Sequence, residues 1–522
     1  MDAKKIAQYI SSQKKAKNFD TATVFQVLAS EIKEITSDLR DNKHLQLKLI
    51  TATDEREENG CFKLWYIFAA PTEHVFIVPY IELKNTEEFP SLMSSIEEAG
   101  NYERKIQTFF GLTPIGHFDN RPLILHENWP SDLYPLRKDF NWNTKPEESQ
   151  GTYPFQKVDG EGIYEIPVGP IHAGIIEPGH FRFSVVGEEI MLLEARLGFV
   201  HKGVEKIFET VSPHEMIKLS EKISGDSSYS HSLAFSNALE QLSDTVVPKR
   251  ADHLRVIYAE LERLANHFGD IGAIMLDTGF SFGGSHGARL REIIIRMEER
   301  LTGSRFLRGV NICGGVTKDI SSEEKNNLIT DFAIITKDFS ELIEIAQDSA
   351  SLLNRLKGTG VLPYTIAQKQ GATGVAAKAV GIAHDARVDF PYAAYGALHF
   401  DTVETEQSGD VYARFCVRIK EVYASINLIT KALTALPSGP ICANTKPIFK
   451  KNAIAITLVE GWRGDILYFV TTDSKGKISR VAPRDPSWVN WPLLEQSAPG
   501  NIVPDFPLIN KSFNLSYTGN DL

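Results

Sequence analysis

A helical stripe in the middle of the chain constrains the fold more than any other feature. Six apolar residues repeat there at the spacing of one helix face: Leu254, Ile257, Tyr258, Leu261, Leu264 and Phe268. Apolar residues three and four positions apart lie on one side of an α-helix, which is buried against neighbouring elements. Similar patterns at 287–302, 321–356 and 410–436 predict further long helices. We therefore expect the second part of the chain to be mainly helical, with a bundle of long helices at its centre.

The first 140 residues follow a different pattern. Stretches rich in β-forming residues occur at 45–53, 61–70 and 74–83, and polar turn residues separate them. Such spacing is typical of an antiparallel meander. Further stretches of strand character lie at 163–168, 180–193, 453–458 and 466–471. Because helices and strands are segregated along the chain, the predicted fold class is α+β.

The domain boundary is indicated by composition. Residues 141–160 (NWNTKPEESQGTYPFQKVDG) are polar and rich in Gly, Pro and Ser, which is typical of a linker. A chain of 522 residues also exceeds the usual size of a single core. We therefore expect a small α+β domain at 1–140, a linker at 141–160 and a large, mainly helical domain at 161–522.

Charge and motif content exclude several classes of function. The formal charge is 56 − 67 = −11, which argues against nucleic-acid binding because phosphate recognition needs clustered Lys and Arg. No glycine-rich GxGxxG loop is present, so we expect no direct binding of NADH. Four isolated cysteines, without a CxxC pair, predict buried, reduced thiols rather than a zinc or iron–sulfur site; they are Cys61, Cys313, Cys416 and Cys442. Without a signal peptide or a long apolar stretch, the expected location is cytoplasmic.

One segment carries a recognisable signature. The string YERKIQTFFGLTPIGHFDNRPLILHENWPSDLYPLRKDF at 102–140 resembles the small C-type subunit of NADH:quinone oxidoreductase (complex I). The matching residues are Glu103, Arg104, Gly111, Gly116, Asp119, Arg121, Pro135, Leu136, Arg137, Lys138 and Asp139. Two acidic positions of the family pattern are occupied by Lys105 and Thr108 instead.

The remainder resembles a second subunit of the same superfamily. The strings PVGPIHAGIIEPGHFRF (167–183) and RLGFVHKGVEK (196–206) are similar to the opening of the complex I D-type subunit. They are closer still to the large subunit of energy-converting nickel–iron hydrogenases of the formate hydrogenlyase and hydrogenase-4 type. Further likeness lies in VPKRADHLRVIYAELERLANH, GVNICGGV, HDARVDFPYAAYG, GDVYARFCVRIKEVY and LPSGPI. Fusion of C- and D-type parts is itself typical of that hydrogenase branch.

The resemblance implies a metal site whose ligands are missing here. In the hydrogenases, two CxxC pairs hold nickel and iron, one near the start of the D-like region and one near the C-terminus. The matching positions in this chain are Ser224, Ser227, Ser516 and Gly519. Soft thiolates hold nickel, whereas a serine hydroxyl is a hard and poorly acidic ligand. We therefore expect no nickel–iron centre and no cofactor bound by this chain; DPSWVNW at 485–491 is rejected as a degraded ligand motif.

The quinone site of complex I is not matched either. Where that family places a His and a Tyr beside the quinone headgroup, this sequence has Pro178, with His180 two residues further on, and Gly225. The cavity implied by the resemblance keeps ionisable and polar groups: Glu177, His172, Asp226, Tyr229, His231, Asp385 and Arg387. The family assigns the position of Glu177 to proton relay. These groups could form a proton path or a buried hydrogen-bonded network.

Three functions stay open. The resemblance implies a peripheral subunit that docks on a small iron–sulfur subunit (complex I B-like) and an integral membrane subunit (H-like), on the cytoplasmic face. In the first hypothesis it moves electrons from the cluster of the partner to an acceptor and so drives ion translocation. In the second, it is a non-redox coupling or scaffold protein with a vestigial cavity. The third and weakest is a site for a small ligand or inorganic carbon.

Overall fold

The computed structural model describes residues 16–172, 176–444 and 447–522. Residues 1–15 of the expected first domain, and 173–175 of the segment 167–183, lie outside them. The strands of the described residues are β1 (Lys17–Phe19), β2 (Ala22–Gln26), β3 (Gln46–Glu55), β4 (Cys61–Ala70), β5 (Val75–Leu83), β6 (Glu88–Pro90), β7 (Thr113–Ile115), β8 (Ile163–Val168), β9 (His180–Val186), β10 (Glu189–Arg196), β11 (Asn311–Ile312), β12 (Gly315–Val316), β13 (Ile454–Gly461), β14 (Gly464–Thr472) and β15 (Ile478–Arg484).

The helices alternate with these strands in the first part and dominate the second. They are α1 (Ile32–Ser37), α2 (Arg56–Asn59), α3 (Ala99–Phe110), α4 (Val204–Ile207), α5 (Pro213–Ser220), α6 (Ser228–Ser243), α7 (Lys249–Asp277), α8 (Ser281–Thr302), α9 (Ser322–Asp348), α10 (Ala350–Leu356), α11 (Tyr364–Lys369), α12 (Gly374–Lys378), α13 (Ala386–Asp389), α14 (Val411–Thr434), α15 (Pro486–Ser497), α16 (Phe506–Phe513) and α17 (Tyr517–Asp521). The α+β class is confirmed.

The first part is built on a five-stranded sheet. Its order is β1-β2-β5-β4-β3, and the expected meander of β3, β4 and β5 is confirmed as antiparallel. The strand β2 joins this meander in parallel with β5, with Ala22 opposite Phe76. Helix α3 packs on β3 and buries Ile106, Phe109 and Phe110. The sheet therefore has one more parallel pairing than the sequence pattern predicted.

Long helices form the core of the second part, as predicted. Helix α7, with 29 residues, packs against α8 and α14, and the whole predicted stripe from Leu254 to Phe268 is buried. Helices α7 and α8 are in tight backbone contact at two glycines. A Cβ on Gly287 would lie 2.5 Å from Gly272 Cα, so these positions tolerate no side chain. The predicted helix at 321–356 is divided at Ser349, which caps α10 through its hydroxyl.

The two parts share a continuous hydrophobic core. One face of the β13–β15 sheet packs on the five-stranded sheet, and Trp65 lies 5.5 Å from Phe469 between ring centroids. Buried ion pairs cross the same boundary. Asp465 contacts Lys48 Nζ at 2.7 Å and Arg484 Nη1 at 3.0 Å. The small part is thus held by both apolar and ionic contacts.

The cysteines are free, as expected, but their burial differs from the prediction. Cys61 is buried, Cys313 and Cys416 are half-buried, and Cys442 is exposed. The prediction of buried thiols is therefore wrong for Cys442. The backbone of Cys442 forms an isolated antiparallel β-bridge with Gly315, where the chain leaves the helical core after α14.

A second ionic cluster at the boundary predicts sensitivity to acid. Glu205 contacts Lys105 Nζ at 2.5 Å and Arg480 Nη2 at 2.7 Å, and all three side chains are largely buried. Burial alone would raise the pKa of Glu205, but the two cations outweigh it and lower the pKa to about 2. A carboxyl whose pKa is depressed in the folded state stabilises the protein above its unfolded pKa, and that contribution is lost as the pH falls.

Replacing Glu205 by glutamine should therefore remove about 3 kcal/mol of the free energy of unfolding at neutral pH. The difference from the wild type should shrink between about pH 4.5 and pH 2, measured by urea unfolding across that range. The exposed Glu188→Gln is the matched control and should follow the wild type. A difference that stays constant with pH would contradict the ionic role of Glu205.

Candidate functional site

The four positions that the sequence pattern singled out come together in space. Ser224 and Ser227 lie on the turn that precedes α6, which we call the serine loop (residues 224–227). Ser516 caps α17, and Gly519 lies inside that helix. Ser224 Oγ is 2.9 Å from Ser516 Oγ, which also accepts a hydrogen bond from the Gly519 amide at 2.9 Å. Residues from opposite ends of the large domain thus form one hydrogen-bonded cluster.

An ion pair closes this cluster on one side. Both carboxylate oxygens of Asp226 accept hydrogen bonds from the guanidinium of Arg463 at 2.7 Å. Asp226 Oδ1 also lies 2.9 Å from Ser224 Oγ, and Arg463 Nη1 lies 3.4 Å from Ser227 Oγ. Desolvation acts to raise the pKa of Asp226, but Arg463 outweighs it and lowers that pKa. The carboxylate therefore stays ionised and fixes the serine loop.

Asp485 occupies the space beside Gly519. It caps α15 by accepting a hydrogen bond from the Ser487 amide at 2.7 Å, and its Oδ2 lies 3.0 Å from His231 Nε2. A Cβ on Gly519 would lie 2.5 Å from the carboxyl carbon of Asp485. Because this buried carboxylate is held at both oxygens, it cannot move aside at low cost. The room for a fourth ligand side chain is thus filled by protein.

Substituting Gly519 tests this packing. We expect Gly519→Ala to lower the free energy of unfolding by about 1–3 kcal/mol, as overpacking of a rigid core does. Gly225 in the serine loop is the matched control, since a Cβ there would meet only Arg308 Nη2 at an ordinary 3.5 Å. Thermal and urea unfolding of Gly225→Ala and Gly519→Ala give the comparison. Equal stability of the two variants would contradict the proposed clash.

The donor set does not fit a nickel–iron centre. Three hydroxyls and a glycine stand at the four positions, and nickel with a bridged iron requires soft thiolates. Within the described ranges, no group of three or more His, Cys, Asp or Glu side chains is arranged to hold a metal ion. The cluster is instead satisfied by hydrogen bonds among its own members.

Two of the predicted cavity residues lie at the edge of the cluster. Glu177 is exposed, and its Oε2 accepts a hydrogen bond from the Thr518 amide at 3.2 Å, in the first turn of α17. His172 is half-buried, with Nε2 2.7 Å from the carbonyl oxygen of Gly179. The exposed fraction of Ile171 is 87%. This edge is the side of the cluster that opens to solvent.

His231 lies on the inner side of the cluster. It is fully buried in α6, between Asp485 and the hydroxyl of Tyr468, whose oxygen is 3.1 Å from His231 Nδ1. The hydroxyl of Tyr229, on the same helix, has no hydrogen-bond partner among the described residues. Burial raises the pKa of Tyr229 well above its usual value, so the phenol stays neutral.

Asp385 and Arg387 belong to a separate buried network. Arg387 Nη2 lies 2.6 Å from Asp385 Oδ2 and 2.8 Å from Glu421 Oε2, while Lys378 Nζ lies 2.6 Å from both carboxylates. Arg387 Nη1 is a further 3.3 Å from Glu260 Oε1. The structure therefore places Asp385 and Arg387 in this network and not beside Ser224.

The network and the serine cluster meet at the β13–β14 hairpin. Arg263 pairs with Glu260 and donates hydrogen bonds to the carbonyl oxygens of Glu460 and Gly461, immediately before Trp462. Trp462 Nε1 in turn donates to the Asp226 carbonyl at 3.0 Å. A continuous set of contacts thus joins Glu260 to the serine loop.

Sequence reasoning missed Arg463 and Asp485. The string GWRGD at 461–465, between two strand patterns, is a signal for an arginine at a hairpin tip. The string DPS at 485–487 is a helix-capping pattern, and Asp485 caps α15 in the structure. Neither pattern indicates contact with the distant serine loop.

None of the helices within 16–172, 176–444 and 447–522 combines the length and apolar character that a membrane crossing requires.

The family model of the respiratory-chain NADH dehydrogenase 30 Kd subunit matches residues 25–146. The model of the 49 Kd subunit matches residues 277–455.

Individual relatives cover most of the chain. Formate hydrogenlyase subunit 5 of Escherichia coli (strain K12) is 33% identical over 482 residues, which are 91% of this chain and 84% of the relative. Hydrogenase-4 component G of the same organism is 34% identical over 481 residues, 91% and 83% of the two chains. The fused C/D protein of NADH-quinone oxidoreductase from Phocaeicola vulgatus is 29% identical over 473 residues, which are 86% of this chain and 90% of the relative.

A solved structure extends the comparison. A chain of the membrane-bound sulfane sulfur reductase, an archaeal respiratory membrane complex, is similar with a TM-score of 0.65 and 27% identity. The match covers 71% of this chain and all of that chain. The fold and these relatives place the chain with the C- and D-type subunits of complex I. More closely, the chain belongs to the family of fused C/D-type large subunits that complex I shares with the formate hydrogenlyase and hydrogenase-4 enzymes.

Proposed function

We propose that this chain is the large peripheral-arm subunit of a membrane-associated assembly that couples electron transfer to ion translocation, and that it works without a nickel–iron centre. One observation carries the second half of the proposal. Ser224 Oγ lies 2.9 Å from Ser516 Oγ, and the carboxylate of Asp485 fills the space beside Gly519. The family, together with the similarity to a chain of an archaeal respiratory membrane complex, supports the first half.

The chemistry of the cluster supports this view. A serine hydroxyl remains protonated at neutral pH and gives no soft anionic ligand, whereas nickel sites are built from thiolates. The ion pair of Asp226 with Arg463 further balances the local charge, so a divalent cation would meet no excess of negative charge on that side. The cluster therefore acts as a rigid connection between the serine loop and α17.

The partners are proposed from the family and from the exposed edge of the site. A small iron–sulfur subunit (complex I B-like) would cover Glu177 and the exposed Ile171 and Ile176, because apolar side chains at such exposure are typical of protein interfaces. An integral membrane subunit (H-like) would anchor the pair on the cytoplasmic face. Electrons would come from the iron–sulfur cluster of the partner, since this chain is expected to bind no cluster of its own.

A non-redox coupling role is the second candidate. The closed serine cluster favours it, because hydrogen bonds among Ser224, Ser516 and Gly519 occupy the place where a catalytic metal would act. In that case the chain would connect its partners mechanically. The two candidates differ in whether the small subunit keeps an iron–sulfur cluster.

Purification of the native assembly through a tag on this chain tests the proposal. We expect a small subunit with an iron–sulfur cluster, detected by electron paramagnetic resonance after reduction, and at least one integral membrane subunit. An assembly with both partners but no cluster would favour the coupling role over electron transfer. A chain that purifies alone from gently solubilised membranes and from the soluble fraction would contradict membership in such an assembly.

A further inference from the structure

A small cavity lies directly beneath the serine loop. It holds about 10 Å³, enough for one water molecule, and its lining includes Gly225, Asp226, Glu262, Asn266, Arg291 and Glu298. Glu262 comes from α7 and Glu298 from α8, so two helices bring their carboxyl groups to the same space. Glu262 is 6% exposed to solvent and Glu298 is 2% exposed. Two buried carboxyl groups at one cavity seldom both carry charge.

The two carboxyl groups have unequal surroundings. Glu262 accepts hydrogen bonds from the amides of Tyr229 at 2.6 Å and Ser230 at 3.0 Å, which belong to the first turn of α6. Glu298 Oε1 is buried without a hydrogen-bond partner among the described residues. An unpaired buried carboxylate is costly, whereas a protonated carboxyl beside a water is not.

We propose that Glu262 and Glu298 form a proton-binding site, in which one proton and one water molecule are held in this cavity and the proton resides mainly on Glu298. When one proton is bound, Glu262 carries the negative charge of the pair, because it accepts the hydrogen bonds of the α6 amides. It thereby holds the first turn of α6, and with it the serine loop. Asn266 strengthens this link, because its Nδ2 donates to the Asp226 carbonyl at 2.9 Å. The site is independent of electron transfer and of the identity of the partners.

The charges around the cavity agree with this distribution. Burial raises the pKa of Glu298 well above its usual value, and the nearby charge of Glu262 raises it further, while Arg291 and Arg305 act in the opposite direction. Burial also raises the pKa of Glu262, to about 7, against its hydrogen bonds from α6, and Asp226 adds to the rise. These groups come from α7, α8, the serine loop and the turn after α8. Loss of the shared proton would place two carboxylates at one cavity and push Glu262 away from α6.

Difference infrared spectroscopy on the full-length chain tests the site. At neutral pH we expect the carbonyl band of the buried, protonated carboxyl groups to lose one component in Glu298→Gln, and this component should shift in deuterated buffer. The neighbouring exposed Glu299→Gln is the control and should keep the band. An unchanged band in Glu298→Gln would overturn the assignment. Stability that depends on the identity of the salt cation, with no component of the band lost in Glu298→Gln, would show a bound cation instead and equally overturn it.

Hydrogen exchange of the α6 amides tests the link to the serine loop. In the wild type, the protection of Tyr229 and Ser230 should fall at alkaline pH by more than the intrinsic rate explains. In Glu298→Gln, which cannot ionise, the protection should stay at its neutral-pH level. The melting temperature should likewise fall with rising pH more steeply in the wild type than in Glu298→Gln, because a raised pKa stabilises the fold only while the proton is bound. Identical pH dependence in the two proteins would contradict the proposal.

Discussion

Replacing Arg387 by methionine should lower the free energy of unfolding by about 3–5 kcal/mol, the cost of removing one partner from a buried ion pair. Arg387 is fully buried and contacts three carboxylates: Asp385, Glu421 and Glu260. Methionine fills much of the volume of the arginine side chain, but it leaves only Lys378 and Arg263 to balance the charges of the three carboxylates. The loss therefore reflects unpaired charge and not a cavity.

Urea unfolding at neutral and mildly acidic pH measures this effect. The deficit of Arg387→Met should shrink as the pH falls. Without Arg387, the pKa values of the buried carboxyl groups rise to at least those of the unfolded chain, so these groups take up protons and lose their unpaired charge. Arg289→Met is the control, since Arg289 forms an exposed pair with Asp338 and should change stability by less than about 1 kcal/mol. A deficit for Arg387→Met as small as that of the control would contradict the network's role.

Glu177→Gln should reduce turnover of the assembly by about 10²-fold or more while leaving its composition unchanged, the size of effect expected for a group that transfers protons. This prediction rests on the proposed function. Glutamine preserves the acceptor for the Thr518 amide but removes the ability to bind and release a proton. The exposed position of Glu177 at the edge of the serine cluster suits exchange of protons with a partner or with solvent.

Ion uptake into inverted membrane vesicles, with reduced methyl viologen as artificial electron donor, gives the readout. The control Glu165→Gln alters a surface carboxylate paired with Arg182 and should keep full activity. Full activity of Glu177→Gln would leave the residue a purely structural role. Loss of the small or membrane subunit from purified Glu177→Gln assembly would show that it acts in docking instead.

Much of the fold was predictable because it rests on periodic patterns. The stripe from Leu254 to Phe268 and the meander at 45–83 follow directly from apolar spacing. Strand β15 was not predicted, since its residues include Arg480 and Arg484, which are buried only because Glu205 and Asp465 pair with them. The short strand β2 pairs with β5, and β1 pairs with β2; both carry too few residues for a pattern of their own.

Four positions of the candidate site could be marked from the sequence, but their contacts could not. The resemblance marked Ser224, Ser227, Ser516 and Gly519, and the structure brings them together. The resemblance gave no indication that Asp485 occupies the space beside Gly519, because a contact between residues of separate helices leaves no local signal in the sequence. Asp385 belongs to a different buried network, since Lys378 and Arg387 bind its carboxylate there. Distances between side chains from separate elements require the fold itself.

A large subunit of this family that works without a nickel–iron centre must be free of stoichiometric nickel in its native state. Elemental analysis of the native assembly, purified from its own host so that any maturation factors act on it, measures this most directly. We predict iron from a partner subunit and nickel far below one atom per chain. Stoichiometric nickel, retained after removal of loosely bound metal with a chelator, would contradict the absence of the centre.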